Sequence, residues 1–425
     1  MEPKPGTIVK IITTDGNFEG MIIERPELYD KDHITLKLSS GYNIGIRKEK
    51  IKTIEIIKEI TSKEESSEKI TIDGKKIVII STGGTISSKV DYSTGGVSAK
   101  YDAKNFLNLF PELKNYNIEP VPLMNKMSED FLPEDWIRIA EEVYKYLLDE
   151  NVEGVILTQG TDTMQYTAAV LSFFIRNPNK PIIITGAQRS IDRPSTDAKM
   201  NLICSVIAAK SNIAEIGVVM HGSSDDEFCY WHFGTRVRKM HTSRRDAFRS
   251  INSLPIAKIY ADGRIEEISK NLHYRSNQKP ILDAVFEEKV GMIFVHPNMD
   301  PEIIDFFINK KYKGLVIQAT ALGHVPTTSK KEIFSKIKKA IENGIVVVIS
   351  TQTLYGSVHE FVYSNLRKLS SIGCIYVKDM LSEVAYVKLG WVLAKSKEIS
   401  EIKKMMLTPF AKEISEKSNY YEFLN

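Results

Sequence analysis

The sequence predicts an α/β protein with two domains built on mostly parallel sheets, preceded by a small SH3- or Sm-like β-barrel. Three observations carry this. The first sixty residues alternate apolar and polar side chains in short runs with no helical stretch. From Lys75 onward the apolar runs are continuous and separated by amphipathic stretches, the pattern of parallel strands covered on both faces. Two segments without apolar periodicity divide the chain. The expected organisation is therefore a barrel over 1–60, a linker over 61–74, a larger α/β domain over 75–262, a second linker over 263–282 and a smaller α/β domain over 283–425.

In the first module, GTIVKIITTDGNFEGMIIE turns at Asp15-Gly16, a hairpin signal. HITLKLSSGYNIGIRKEKIKTIEII adds three strand candidates, broken at Ser40-Gly41 and near Lys48. Phe18, Tyr29 and Tyr42 are few aromatics for stacking on RNA bases, which favours a docking or stabilising module over an RNA binder. KEITSKEESSEK, charged and serine-rich, reads as a linker.

The larger domain is expected to use KIVII (76–80), GVIL (154–157), PIIIT (181–185) and IGVVM (216–220) as strands. The smaller uses GMIFV (291–295), GLVIQ (314–318), GIVVVIS (344–350) and CIYV (374–377). DWIRIAEEVYKYLLDE and KEIFSKIKKAIENG carry helical spacing between them. In such folds ligands sit beyond the carboxyl ends of the strands, so the loops after these runs carry the chemistry.

Composition sets outer limits. With 42% hydrophobic and 26% charged residues and a net charge of +3, nothing global points to nucleic acid. The apolar runs are too short to cross a bilayer, and MEPKPGTIVK lacks a signal-peptide core, so a cytoplasmic protein is expected. Cys204, Cys229 and Cys374 form no CxxC and read as buried free thiols, Cys229 as core. His221, His232 and His241 lack ligand spacing, so no metal is expected, and SSDDE (223–227) reads as a solvated turn.

Two loops stand out. STGGTISS (81–88) and TQGTDTMQYTA (158–168) each follow a buried run with glycine and threonine. Neither is a Walker A loop, and GxGxxG, GxSxG and HExxH are absent. Asp162 followed three residues later by Gln165 has, by itself, the form of a helix capping box. Taken together, the loops offer hydroxyl nucleophiles at the ends of neighbouring strands, with glycines baring backbone N–H groups for a developing oxyanion. Lys239 stands among Arg236, Arg238, Arg244 and Arg245; by itself it reads as a solvated member of a basic face, and beside these two loops like charge would push it toward the neutral amine.

STGGTI (81–86) and QGTDTM (159–164) resemble the two threonine signatures of the bacterial-type L-asparaginases. The resemblance runs from about residue 75 to the end and includes GAQRSIDRPSTDAKMNL (186–202). It implies an asparaginase-like fold and the family's chemistry: Thr85 as nucleophile on a side-chain amide carbonyl, Tyr92 closing over it from the 87–97 loop, and Thr161, Asp162 and Lys239 as the second catalytic set. Ser128 and Glu129 of MSEDF fall where the family holds the substrate's α-carboxylate and amino group; Glu129 stands where many members carry glutamine. The family's sites form between subunits, implying a homodimer core, with the ALGHVP loop (321–326) and its His324 approaching the neighbour's site.

The β-rich extension, with SSGYNIGI (39–46), and RSIDRPSTD further resemble the asparaginase-like, D-type subunits of archaeal glutamyl-tRNA(Gln) amidotransferases. That resemblance implies a glutaminase half-enzyme within a heterotetramer. It would take glutamine or asparagine as amide donor and pass ammonia to an E-type partner, which would bind Glu-tRNA(Gln) and use ATP and Mg²⁺. This chain itself would carry no cofactor. The alternatives are a stand-alone cytoplasmic L-asparaginase with an accessory barrel and a non-catalytic RNA-binding or scaffold protein.

Overall fold

Residues 3–4, 6–23, 32–38, 43–58, 74–84, 88–90, 97–99, 111–190, 196–328 and 330–423 are described by the computed structural model. The N-terminal strands Ile8–Thr13, Asn17–Ile23, His33–Leu38, Asn43–Arg47 and Ile51–Lys58 form one antiparallel sheet, with the first strand between the second and the fifth. The turn at Asp15-Gly16 is closed by Thr13, whose N–H and hydroxyl both donate to the Gly16 carbonyl. Alternation places Val9, Ile11, Ile22, Ile34, Leu36 and Ile46 in a core belonging to this module alone. The linker read in KEITSKEESSEK lies outside the described residues apart from Lys58.

The second sheet has eight strands. At its centre Lys76–Ser81, Val152–Thr158, Ile182–Thr185 and Ile216–His221 run parallel, and Ile118–Pro122 joins them at one edge. Their near-continuous burial explains the unbroken apolar runs. Register sets Ser81 beside Thr158 and Thr158 beside Thr185, so three strand ends open onto one rim.

Beyond Ile216–His221 the sheet turns antiparallel through Cys229–Phe233, Ala257–Ile259 and Ile265–Glu267. The last of these falls in the stretch read as a linker. Farther along that stretch, Arg275 donates to the Glu153, Ala209 and Ser211 carbonyls, tying the chain back to the domain.

The third sheet is all parallel, formed by Val290–Phe294, Gly314–Ala319, Val346–Thr351 and Ile375–Tyr376 in that order. The two α/β parts share one apolar cluster, in which helix Met164–Phe174 packs on helix Ser382–Lys395. There Phe173 stacks on Trp391 with ring centroids 5.6 Å apart. Among the described residues no helix is long and apolar enough to cross a membrane.

Candidate active site

The rim is built by glycines that let backbones touch. Gly83 and Gly84 both have positive φ, and a Cβ at Gly84 would lie 2.2 Å from the Gly160 nitrogen. One at Gly83 would lie 2.6 Å from the Lys126 carbonyl oxygen. Gly160 in turn faces Ser128, where a Cβ would come within 2.9 Å of Oγ. The loops after strands Lys76–Ser81 and Val152–Thr158 thus pack backbone to backbone, joined by Thr82, whose N–H and hydroxyl both donate to the Thr158 carbonyl. Thr85 and Tyr92 lie outside the described residues. Of the 87–97 loop the structure describes the backbone of Ser88–Val90 and of Val97, where the strand Val97–Ala99 begins; the two strands pair antiparallel.

Thr161, Asp162 and Lys239 are brought together. Lys239 Nζ donates to Thr161 Oγ1 at 2.9 Å and to Asp162 Oδ1 at 2.7 Å. Thr161 is buried; the Lys239 side chain is 10% exposed and that of Asp162 64%, so the set opens to solvent on the aspartate side. The capping-box reading of Asp162 is corrected here. Helix Met164–Phe174 begins after Thr163 without a side-chain cap bond, because the Asp162 carboxylate is turned to Lys239 and the Thr163 hydroxyl donates to the Ser128 carbonyl at 2.6 Å.

The four arginines read as crowding Lys239 are each paired with an acid. Arg236 pairs with Asp379, Arg238 with Glu383, Arg244 with Asp246 and Arg245 with Asp226. Arg244 and Arg249 bracket Asp246 and hold its carboxyl down to about 2, chiefly through the Arg244 hydrogen bond. Asp226 also faces the His221 ring nitrogen at 2.9 Å, so SSDDE contributes to this network rather than forming only a solvated turn.

Ser128 is buried and Glu129 exposed on a short helical turn, Ser128–Asp130, beside the Thr161 loop. With Thr163 they line a cavity of about 290 Å³ whose apolar wall is Phe131, Trp136, Tyr166, Met292 and Tyr386. Burial pushes the Tyr166 hydroxyl up to about 12, so this wall presents neutral phenol.

Sequence reasoning passed over the supports. Asp197, fully buried, accepts the Gln188 and Arg189 N–H groups and an Asn201 amide proton, while Asn201 also donates to the Gly186 carbonyl. This fixes the loop after Ile182–Thr185 against the Thr161 loop, where a Cβ on Gly186 would meet the Gln159 oxygen at 2.5 Å. Asp197 and Asn201 both lie in GAQRSIDRPSTDAKMNL (186–202), read from the sequence only as part of the family resemblance.

The remaining predicted features sit elsewhere. The His324 ring lies 5.0 Å from that of Tyr363, tilted by 60°, and meets the Asn365 side chain at 2.9 Å. His221, His232 and His241 bond to Asn201, Ser250 and the Ser243–Arg244 backbone respectively. Among the described residues no group of three acidic, histidine or cysteine side chains could hold a metal ion. All three cysteines are free and buried, and burial raises the Cys229 and Cys374 thiols.

Comparison with known proteins agrees along the chain. Residues 76–273 match the asparaginase N-terminal domain family, 289–406 the glutaminase/asparaginase C-terminal domain and 3–57 the GatD N-terminal domain. The D-type subunit of glutamyl-tRNA(Gln) amidotransferase from Pyrococcus abyssi is 48% identical over 96% of this chain and 93% of its own length. That of Methanobrevibacter smithii is 45% identical, covering 99% and 96% respectively. The thermostable L-asparaginase from Thermococcus kodakarensis superposes with a TM-score of 0.72 at 29% identity, over 80% of this chain and all of that one. L-asparaginase I from Vibrio cholerae does so with a TM-score of 0.69 at 27% identity, over 81% of this chain and all of its own. The chain belongs to the family of D-type glutamyl-tRNA(Gln) amidotransferase subunits, whose body is an asparaginase-type amidohydrolase.

Proposed function

We propose that the chain releases ammonia from glutamine or asparagine by a threonine-nucleophile mechanism and passes it to a partner subunit. That partner converts Glu-tRNA(Gln) to Gln-tRNA(Gln). The observation that carries this reading is the contact of Lys239 with both Thr161 and Asp162 at the rim of the parallel sheet. In the proposed reaction Thr85 Oγ bonds to the side-chain amide carbon and the C–N bond breaks. The hydroxyl proton leaves with the departing nitrogen as ammonia. Lys239 moves protons through Thr161, and Asp162 stabilises its ammonium form. Water then cleaves the ester and restores Thr85. Tyr92 closes the site, and Ser128 and Glu129 hold the substrate's α-carboxylate and amino group.

The partner is the E-type subunit, carrying ATP and Mg²⁺ and most of the contact with Glu-tRNA(Gln), and two copies of this chain form the core of the assembly. Glutamate release from glutamine, assayed with and without this partner and charged tRNA, tests the reading. The expected outcome is slow hydrolysis by the chain alone and a rise of about 10-fold or more with the complete set, a coupling of about 1.4 kcal/mol. Fast asparagine hydrolysis by the chain alone, indifferent to the partner, would instead mark a stand-alone asparaginase.

A further inference from the structure

Lys239 ends a short strand, Val237–Lys239, which pairs with Phe248–Ser250. Side chains alternate along a strand, so Val237 and Lys239 share one face while Arg238 takes the other, and Arg236 stands in the turn just before the strand. Both arginines are anchored to the C-terminal half of the chain. Arg238 donates to Glu383, which is 2% exposed, at 2.8 Å. Arg236, equally buried, donates from Nε to the Lys412 carbonyl at 2.7 Å and from one terminal nitrogen to Asp379 Oδ2 at 2.9 Å. Its other terminal nitrogen reaches Ser415 Oγ at 2.8 Å.

Thr235 adds a bond to the Ala411 carbonyl at 2.7 Å, and the Ser415 N–H returns to Asp379 Oδ1 at 2.9 Å. The segment 411–415 is itself pinned by Glu413, which is fully buried against Lys388 and accepts the Phe410 and Ala411 N–H groups. A lysine must be held against Thr161 from a strand only three residues long, and the turn that leads into that strand is bonded to this segment through Thr235 and Arg236.

We infer that Thr235, Arg236, Asp379 and Ser415 position Lys239, so that residues 411–415 act as a strap fixing the catalytic amine through the turn that leads into its strand. The inference rests on the proposed role of Lys239. A purely structural strap would affect stability alone, whereas a positioning strap acts on turnover through one residue.

The test uses the full chain with its partner and charged tRNA. Thr235→Val and Ser415→Ala together remove two hydrogen bonds while keeping the buried Arg236–Asp379 pair. We expect kcat to fall about 10-fold with KM changed less than about 2-fold. Introduced into Lys239→Ala, the same pair should cause less than about 2-fold further loss, since sites acting through one group are not additive. Ser415→Thr, which retains the hydroxyl, should turn over within about 2-fold of the parent and stands in if the double variant does not fold. Equal losses with and without Lys239, or parental kcat in the double variant, would overturn the inference. So would Ser415→Thr as impaired as Ser415→Ala. If Lys239→Ala alone turned over like the parent, the catalytic reading of Lys239 would fall and the strap with it. If Lys239→Ala is impaired and the strap variants are not, only the strap fails.

Discussion

Lys239 and Asp162, 77 residues apart in the chain, meet at 2.7 Å, and the same ammonium reaches the Thr161 hydroxyl at 2.9 Å. A single cation thus bridges an exposed carboxylate and a buried hydroxyl. Such an arrangement suits proton transfer, because the carboxylate stabilises the lysine's charge on the wet side while the hydroxyl it reaches lies on the dry side.

From this relationship we expect Thr161→Ala, Asp162→Asn and Lys239→Ala each to lower amide hydrolysis by about 10²–10⁴-fold, leaving the fold intact. Their effects should not add, because the three act as one unit. Steady-state kinetics on the single, double and triple variants checks both points; additive losses would separate the residues into independent roles.

Gly84→Ala should be more harmful than its size suggests. The φ of +80° is strained for alanine, and the new methyl would lie 2.2 Å from the Gly160 nitrogen. Gly263 has a similar φ of +98° with nothing within 4 Å of the place a methyl would take, so Gly263→Ala isolates the strain. Denaturant titration should show more than about 1 kcal/mol lost at Gly263 and a larger loss at Gly84. Only Gly84→Ala should also impair turnover, because it spreads the two threonine loops apart.

His232 makes folding stability depend on pH. Burial, with a smaller effect from Arg249, lowers its folded value to about 3 from an ordinary 6.5. Between these values the unfolded chain binds a proton that the folded chain does not. Stability therefore rises with pH through this window and gains nothing further from this group above 6.5. The contribution is about 1.4 kcal/mol per pH unit inside the window. Denaturation curves collected from pH 4 to 8 (roughly spanning its upper part) should show this slope, and His232→Asn should flatten it.

Lys388 and Glu413 form an ion pair with both side chains fully buried. Lys388→Met alone leaves a buried carboxylate without its counter-ion and should cost about 3–5 kcal/mol. Lys388→Met with Glu413→Gln removes the charge while keeping an acceptor for the Phe410 and Ala411 N–H groups, and should recover most of that loss. Thermal or denaturant unfolding of the two variants decides it; a double variant as unstable as the single would show that the pair stabilises by its own attraction.

Much of the fold was legible in the sequence because it rests on local periodicity. Unbroken apolar runs between amphipathic stretches mark strands buried on both faces, and alternating runs about an Asp15-Gly16 turn mark a sheet with one wet face. The strands Cys229–Phe233 and Ala257–Ile259 escaped it, because short antiparallel strands among polar turns have no period long enough to recognise. The glycine-threonine loops were visible for a related reason: two glycines at a strand end announce close backbone approach before any partner is known.

What the sequence alone determined was therefore which residue types stand at which strand ends. It could not determine what each charge faces. The basic run around Lys239 reads as one cluster of like charge, yet its arginines are paired with acids, Arg244 with Asp246 of the same run but Arg236, Arg238 and Arg245 with Asp379, Glu383 and Asp226 from farther off in the chain. Lys239 is left to Asp162 and Thr161 because alternation along a strand of three residues turns it away from its arginine neighbours. Coulombic pairing falls off over a few ångströms, so it follows distance in space and not order in the chain; only the tertiary structure could assign it.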